Sequence, residues 1–268
     1  NMYKCMKPQL GISELAFDNY HICEGQFGSN KIYLVLSDRL SVDANGLDVE
    51  LRNTIGEFDA LIFLSKHASV SGIPTFCLHT QGNWGSAKLG GSPQTLGVTP
   101  VVLKNLLYQQ MVTQNTTNFD VVHEGTHHGP DLEIPTIFYE IGSTEKEWSN
   151  PVYAQFMVSV FFDVLEQYDG EQSSLPVILG IGGSHTCSNF NRLSAEGKIL
   201  VGHVAPNYAV NSLTVEMVRQ AITKTTLPSQ IVVDWKALNS EMRHFVSNVL
   251  CKSNISFEKL KSLKKRLD

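Results

Sequence analysis

Histidine and glutamate side chains recur in this 268-residue chain directly after short apolar runs. The chain contains nine histidines, and the residues placed in this way are His67, His79, His123, His127, His128, Glu140, His185 and His203. One histidine beside a strand is ordinarily a core residue with a satisfied hydrogen bond. Repeated placement at strand ends favours one shared centre, in which imidazoles and carboxylates bind zinc or act as a metal-free acid/base cluster.

Two of these histidines belong to the sequence His-Glu-Gly-Thr-His at 123–127, which has the form of a zinc-protease helix motif. A helix is not expected there. The preceding residues 119–122 read as a strand, Gly125 lowers helix propensity, and Gly129-Pro130 follows closely. We therefore interpret the motif as incidental.

The elements that position these side chains follow from the spacing of the apolar residues. Short β-branched and apolar runs predict strands at 31–36, 60–64, 75–78, 119–122, 136–140, 177–181, 199–203 and 231–233. Helical spacing and start signals predict helices at 100–114, 145–167, 215–225, 239–250 and 257–267. Thr144 and Glu147 form a possible capping box, and Trp148, Val152, Phe156 and Val160 are expected to face the core.

Alternation of strands and helices predicts an α/β protein, a three-layer α/β/α sandwich with a mixed, mostly parallel sheet. Sites in such folds lie at the carboxyl ends of the strands, where the His and Glu residues fall. The glycine-rich run at 180–185 follows a strand and resembles a phosphate-binding loop, although it matches neither common glycine-loop motif. It is also a tight turn, and Gly182 and Gly183 could present N–H groups to an oxyanion.

Composition excludes several classes of protein. With 42% hydrophobic and 18% charged residues, the chain is typical of a folded domain. The net charge of −5 predicts no broad nucleic-acid surface and no DNA partner. The basic tail Lys259, Lys261, Lys264, Lys265 and Arg266 is either a local contact or a solvated helix. The five dispersed cysteines and the lack of a long apolar run favour a cytoplasmic protein without a membrane segment. Cys187 beside His185 is a less favoured nucleophile.

Several sequence blocks resemble the archaeal and plant type of D-aminoacyl-tRNA deacylase. They occur in family order across residues 60–209, which makes the resemblance specific. The blocks are Ser-Lys-His-Ala-Ser at 65–69, His-Thr-Gln-Gly-Asn-Trp-Gly at 79–85, Glu-Gly-Thr-His-His-Gly-Pro at 124–130, Glu-Ile-Gly-Ser-Thr-Glu-Lys-Glu-Trp at 140–148, Gly-Ile-Gly-Gly-Ser-His at 180–185 and Gly-His-Val-Ala-Pro-Asn-Tyr-Ala at 202–209.

The resemblance implies a phosphorylase/hydrolase-like fold and hydrolysis of the ester bond between a D-amino acid and tRNA. It also implies zinc as cofactor and D-aminoacyl-tRNA as partner, and it leaves the oligomeric state open. We expect a single deacylase domain over 1–268, with the roles of residues 1–30 and of the basic helix at 257–268 undetermined.

The family motifs and the strand-end placement together suggest roles for particular residues. We assign catalytic roles to Glu124, His127, His128 and Glu140, metal ligation to His79, His185 and His203, and substrate binding to His67, Asn83, Gly182, Gly183 and Tyr208. The sequence departs from the family pattern at Gln81, where Pro is usual, at Asn207, where Lys is usual, and at Thr186, where Tyr is usual. The loss of a lysine at 207 puts a phosphate contact there in doubt.

Two other functions remain open at this stage. The same His and Glu residues would serve a zinc exopeptidase or amidohydrolase acting on small amides or peptides, without any need for tRNA. A tRNA-binding protein with a decayed site is the alternative that is not an enzyme. Intact His and Glu positions and the absence of a broad basic surface argue against it.

Overall fold

The structure is a computed structural model that describes residues 2–17 and 20–268. Its elements in chain order are α1 (Met2–Met6), β1 (Ser13–Phe17), β2 (Tyr20–Phe27), β3 (Asn30–Leu36), α2 (Leu47–Ile55), β4 (Leu61–Ala68), β5 (Thr75–His79), β6 (Gly82–Asn83), β7 (Thr95–Leu96), α3 (Val101–Gln114), β8 (Asp120–His123), β9 (Thr136–Ser143), α4 (Glu145–Trp148), α5 (Pro151–Leu165), β10 (Val177–Ile181), α6 (Ser188–Ala195), β11 (Leu200–Ala205), α7 (Val215–Thr223), β12 (Ser229–Val233), α8 (Ser240–Ser253), β13 (Phe257–Lys259) and α9 (Leu260–Leu267).

The α/β prediction is confirmed, and the described strands are divided among separate sheets. A mixed sheet has the order β4-β9-β5-β8, and a parallel sheet has the order β11-β10-β12-β13. An antiparallel sheet β1-β2-β3 and the short pair β6-β7 complete the set. In the mixed sheet β5 runs antiparallel to β9 but parallel to β8.

The parallel sheet is covered by helices on both faces, as its near-continuous apolar strands require. Ile181 and Val233 pack with residues of α7 and α8, whereas Ile178 and Val232 pack with residues of α6 and α9. This half of the molecule therefore has the predicted three-layer arrangement.

The mixed sheet uses its two faces differently. Phe76 and Leu78 of β5, with Tyr139 and Ile141 of β9, bury one face in a core shared with α3 and α5. Alternate residues of the same strands point to the opposite face. The sequence predicted that the polar side chains would gather where the strands end. Because β5 and β9 are antiparallel, their ends lie at opposite edges, and the polar side chains instead lie together on this second face.

The helix predicted over 145–167 is two helices. Asn150 caps α5 by accepting from the Val152 N–H at 2.9 Å, and Pro151 occupies its first position. The break restarts the helical phase, so Val152 is 67% exposed although it was expected in the core, while Val160 is buried as expected. The capping box of Thr144 and Glu147 is confirmed.

Both ends of the chain contain strands that the sequence patterns did not predict. Residues 257–259 form β13 on β12 before α9 begins, whereas a continuous helix was expected. At the other end β2 pairs with β3, and Phe27 stacks on Phe162 of α5 at 4.5 Å between ring centroids. No described helix is long and apolar enough to span a bilayer.

A buried lysine joins helix α3 to the parallel sheet. Lys104 of α3 is 2% exposed, and its Nζ donates to the Gly202 carbonyl of β11 at 2.9 Å. Burial lowers its pKa to about 8, although Cys187 and Glu171 act in the opposite direction. The folded state therefore disfavours the charged form of this side chain.

We expect Lys104 to make stability rise with pH. Between pH 8 and 10.5 the unfolded chain holds more protons on this amine than the folded chain, so the free energy of unfolding increases across that window. Relative to Lys104→Met, which cannot titrate, the wild type should gain about 3 kcal/mol from pH 7 to 10.5. Chemical denaturation of both proteins across this range measures the difference. A pH-independent difference would contradict the assignment.

Candidate active site

The second face of the mixed sheet carries a set of polar side chains. Because Phe76 and Leu78 enter the core, Cys77 and His79 of β5 project from the opposite face. The antiparallel register pairs Cys77 with Glu140 of β9. This pairing makes Glu140 the centre of the polar face.

The Glu140 carboxylate is buried and surrounded by donors. Its Oε2 lies 3.7 Å from His67 Nδ1 and 3.7 Å from His79 Nε2, and the Cys77 thiol donates to it at 3.5 Å. Burial alone raises its pKa, but the His67 and His79 imidazoles outweigh that and hold the pKa well below its usual range. Glu140 is therefore ionised at neutral pH.

The segment that follows β8 closes the site from the side of the parallel sheet. Its consecutive backbone N–H groups donate to carbonyls of separate elements: Glu124 to Leu78 at 3.0 Å, Gly125 to His185 at 2.7 Å and Thr126 to Val204 at 2.9 Å. The first carbonyl belongs to the mixed sheet and the other two to the parallel sheet and its loop. The side chains of 124–128 are thereby fixed over the polar face.

Glu124 is the second buried carboxylate. Its Oε1 lies 3.3 Å from His185 Nε2 and its Oε2 lies 3.6 Å from His67 Nδ1. Burial opposes ionisation, but His185, His79 and His67 together lower the pKa below its usual value. Neither oxygen receives a hydrogen bond, and neither is accessible to solvent. Among the described residues its only ion-pair partners are the imidazoles of His185 and His67.

Three imidazole rings pack against one another beside these carboxylates, tilted or edge-on. The ring centroids of His79 and His127 are 4.1 Å apart, and those of His127 and His128 are 4.4 Å apart. His127 Nδ1 donates to Gly125 O at 2.8 Å and His128 Nδ1 donates to Gly129 O at 2.5 Å. A carbonyl can only accept, so each Nε2 keeps a free lone pair.

The electrostatics keep His127 and His128 neutral. Burial and the neighbouring His79 lower the pKa of His128 to about 4 and that of His127 well below its usual value. Both ring nitrogens of His79 are buried without a hydrogen-bond partner. Neutral imidazoles with free lone pairs are the form that binds metal ions.

We call this constellation the histidine basin; it comprises His67, Cys77, His79, Glu124, His127, His128, Glu140 and His185. Within the described residues it contains overlapping groups whose potential ligand atoms lie within 4.8 Å of one another. These groups are His79/His127/His128, Glu124/His127/His185 and His67/Cys77/Glu124/Glu140. The donor set suits zinc, and backbone carbonyls orient two of the rings as metal ligands usually require.

His203 lies apart from the basin. It is fully buried in β11, where its Nδ1 is 3.0 Å from Thr126 Oγ1 and its ring meets Trp84 edge-on. It joins none of the potential ligand groups found among residues 2–17 and 20–268. Its hydrogen bond instead supports the segment that carries His127 and His128.

The glycine turn after β10 lacks the free N–H groups that an oxyanion site would need. Gly182 N donates to Ala205 O at 2.8 Å and Gly183 N donates to Asn207 Oδ1 at 2.9 Å. Both N–H groups are occupied, so neither is free to bind an oxyanion. Both residues have φ near +95°, which favours glycine, and the Asn207 side chain holds the turn.

The remaining predicted residues lie around the basin. Tyr208 is 62% exposed and its hydroxyl lies 3.2 Å from His185 Nδ1, so it forms part of the entrance. Asn83 donates to Gly90 O at 3.0 Å and to Ser92 O at 3.3 Å, which orders the loop between β6 and β7. Its amide nitrogen supports that loop.

The incidental interpretation of the zinc-protease motif is confirmed. His123 ends β8 instead of opening a helix, and its ring is buried against Tyr108 and 3.4 Å from Ser194 Oγ. Burial and Lys104 lower its pKa. Cys187 is also buried, and burial raises the pKa of its thiol, so it stays protonated and is not an activated nucleophile.

Two residues that form or support the site were not predicted from the sequence. Cys77 could have been found, because it stands two residues before His79 in a strand and must share its face. Asn191 of α6 gave no sequence signal. Its amide accepts from His123 N at 3.1 Å and donates to His123 O at 3.3 Å and to Thr186 O at 2.6 Å. It thus fixes the chain beside both Glu124 and His185.

A buried histidine and carboxylate basin at the mouth of an α/β fold is typical of a hydrolase. Comparison with known proteins specifies the family. The D-aminoacyl-tRNA deacylase family model matches residues 54–258. The D-aminoacyl-tRNA deacylase of Pyrococcus horikoshii is 30% identical and aligns over 96% of this chain and 97% of its own. That of Methanosarcina mazei is 34% identical over 82% of this chain and 73% of its own.

A solved structure has the same fold as this chain. A conserved protein of unknown function superposes with a TM-score of 0.86 at 25% identity, covering 98% of this chain and 92% of that one. This chain belongs to the D-aminoacyl-tRNA deacylase family.

We predict that Asn191→Ala weakens both stability and turnover. It leaves the buried backbone N–H and carbonyl of His123 unpaired, which costs about 1–3 kcal/mol, removes the bond to the Thr186 carbonyl, and frees Glu124 and His185 to move. We expect a lower kcat at nearly unchanged KM for D-tyrosyl-tRNA. Arg192→Ala, an exposed neighbour on α6, is the matched control. A wild-type kcat in Asn191→Ala would show that the hydrogen bonds of Asn191 do not position the basin.

Proposed function

We propose that the protein hydrolyses the ester bond of D-aminoacyl-tRNA in the histidine basin and that it does so with zinc. Family membership supports the substrate. The observation that supports the metal is the pair of buried, ionised carboxylates facing imidazoles whose lone pairs have no partner. Lysine and arginine are absent from the described ion pairs of Glu124 and Glu140, so a bound cation is the natural counter-charge.

His79, His127 and His128 would hold the metal, with Glu124 and Glu140 beside it. When bound, zinc polarises an ester carbonyl and lowers the pKa of water to about 7. Glu124 and Glu140 are ionised and buried, so either can accept the proton of the attacking water. His185 lies at the mouth between Glu124 and Tyr208 and can return a proton to the departing ribose hydroxyl.

The first experiment tests the proposed substrate and the proposed metal independently. tRNA is charged with D-tyrosine or with L-tyrosine, and release of the amino acid is followed with and without a chelator. We expect release of the D-amino acid only, lost with chelator and restored by zinc. Selective release that ignores chelator would keep the substrate and refute the metal. Release from tyrosine amide without tRNA would instead favour an amidohydrolase.

We expect His128→Gln to lose zinc as well as activity. The amide cannot replace the imidazole Nε2, so the metal content of the purified protein should fall and deacylation should drop at least about 100-fold. The control is His244→Gln on the exposed face of α8. His123→Gln distinguishes the basin from the helix motif, because only the latter uses His123 as a ligand. Zinc retained in His128→Gln and lost in His123→Gln would reverse the assignment.

The enzyme must also spare L-aminoacyl-tRNA, and a side-chain pocket discriminates by only ~1–3 kcal/mol. We propose that backbone of the glycine turn at 182–183 excludes the L side chain, since it lies beside His185 and has no side chains of its own. The turn is held in one position by Asn207 on one side and Ala205 on the other.

Gly183→Ala tests this. A Cβ at Gly183 makes only an ordinary contact, 3.7 Å from Asp234 Oδ2, but the positive φ strains it. We expect reduced deacylation of D-tyrosyl-tRNA. Gly170→Ala is matched to it, because Gly170 has φ +87° with open space around it and lies in a loop outside the basin. Equal activity and unchanged chirality in both variants would refute the role of the turn.

A further inference from the structure

The strands of the parallel sheet end at one edge, and their order places a second group of residues beside the basin. The sheet order is β11-β10-β12-β13, and the register aligns Ile181 with Val233 and Val233 with Lys259. His185 follows β10, and Lys236 follows β12. At about 4.8 Å per strand, the end of β13 lies ~10 Å from the end of β10.

The residues at this edge form a basic surface around one indole ring. We call Trp235, Lys236, Arg243 and Lys259 the tryptophan patch. Lys259 Nζ lies 4.6 Å and the Arg243 guanidinium 5.9 Å from the Trp235 ring centroid. Arg243 Nε also donates to Trp235 O at 2.9 Å. Lys236 and Lys259 are exposed, and the ring holds two of the cations at defined positions.

The positive charge of the patch is not neutralised. Among the described residues, none of its basic groups has a carboxylate within salt-bridge distance. Glu258 is bonded to Arg266 at 2.8 Å, and buried Asp234 accepts from Asn189 at 2.7 Å. Glu241 stands two positions before Arg243 on α8, and residues at that spacing do not share a helix face.

Hydrogen bonds connect the loop that carries Trp235 and Lys236 to the basin. Asn207 donates to Ala237 O at 2.8 Å and accepts from Gly183 N at 2.9 Å. The next residue, Tyr208, reaches His185. A bound chain can therefore pass from His185 over the glycine turn to Lys236 and Lys259 on one rigid edge.

We propose that the tryptophan patch binds the phosphates of the 3′-terminal nucleotides of the tRNA substrate. The inference rests on the proposed function: the aminoacyl ester stands at the tRNA 3′ end, so when it occupies the basin the preceding phosphates must lie within a short distance. A chain of net charge −5 repels RNA in general, so its contacts with phosphate must be local. Lys236 and Lys259 supply them at the required distance.

The test compares two substrates of the same ester. One is D-tyrosyl-tRNA and the other is D-tyrosyl-adenosine, which lacks the preceding phosphates. In the double variant Lys236→Gln/Lys259→Gln we expect KM for the tRNA substrate to rise roughly tenfold at unchanged kcat. The salt dependence of log(kcat/KM) should become shallower by about 1.4, or 0.7 for each lost phosphate contact. Activity on D-tyrosyl-adenosine should not change.

The control is Lys4→Gln/Lys146→Gln, which removes the same charge from exposed helices of the other half of the molecule. Identical KM and salt slope in the two double variants would overturn the proposal, and so would an equal loss on D-tyrosyl-adenosine. If the wild-type protein does not hydrolyse D-tyrosyl-tRNA, that result counts against the proposed function and not against the tryptophan patch. Filter binding of uncharged tRNA to both variants then decides the patch, with equal Kd values refuting it.

Discussion

The structure depends on the short segment at 124–126, whose successive backbone N–H groups donate to two different sheets and a loop. Gly125 makes this possible, because a Cβ there would lie 2.2 Å from Pro206 Cγ. No described strand pairs the mixed sheet with the parallel sheet, so this segment and α3 hold the two sheets together. Since the segment contains Glu124 and is followed directly by His127, the junction of the sheets is also the centre of the site.

That junction buries charge, which ordinarily costs free energy. Glu124 and Glu140 remain ionised only because imidazoles surround them, and His127 and His128 remain neutral because burial disfavours their charged form. The two tendencies oppose each other: the carboxylates need positive charge that the rings do not fully supply. The proposed divalent cation would resolve both, since it would compensate the anions and use the lone pairs of neutral rings.

Most strands could be predicted from the sequence, but their relative directions could not. Continuous apolar runs identified the strands of both large sheets except β13, and β5, β9, β10 and β11 are buried along their whole length. Alternation has the same period in either direction, so nothing in it shows that β5 runs antiparallel to β9. The separation of His203 from the basin was equally hidden. The β10–β11 pairing shifts between Ile178 and Gly180, and a shift changes which residues share a face.

The two large sheets have different roles, which follow from the charged residues that each contains. The basin has carboxylates at its centre, and a polyanionic substrate would be repelled from it unless positive charge acted at both ends of the path. On the mixed sheet the proposed bound cation would provide this, because the polar face contains imidazoles and carboxylates but no lysine or arginine in the described ion pairs of Glu124 and Glu140. The parallel sheet provides it through Lys236 and Lys259 at its edge, far enough from Glu124 and Glu140 to avoid pairing with them. Substrate attraction and ester chemistry thus require separate positive centres, and the junction at 124–126 fixes the distance between them.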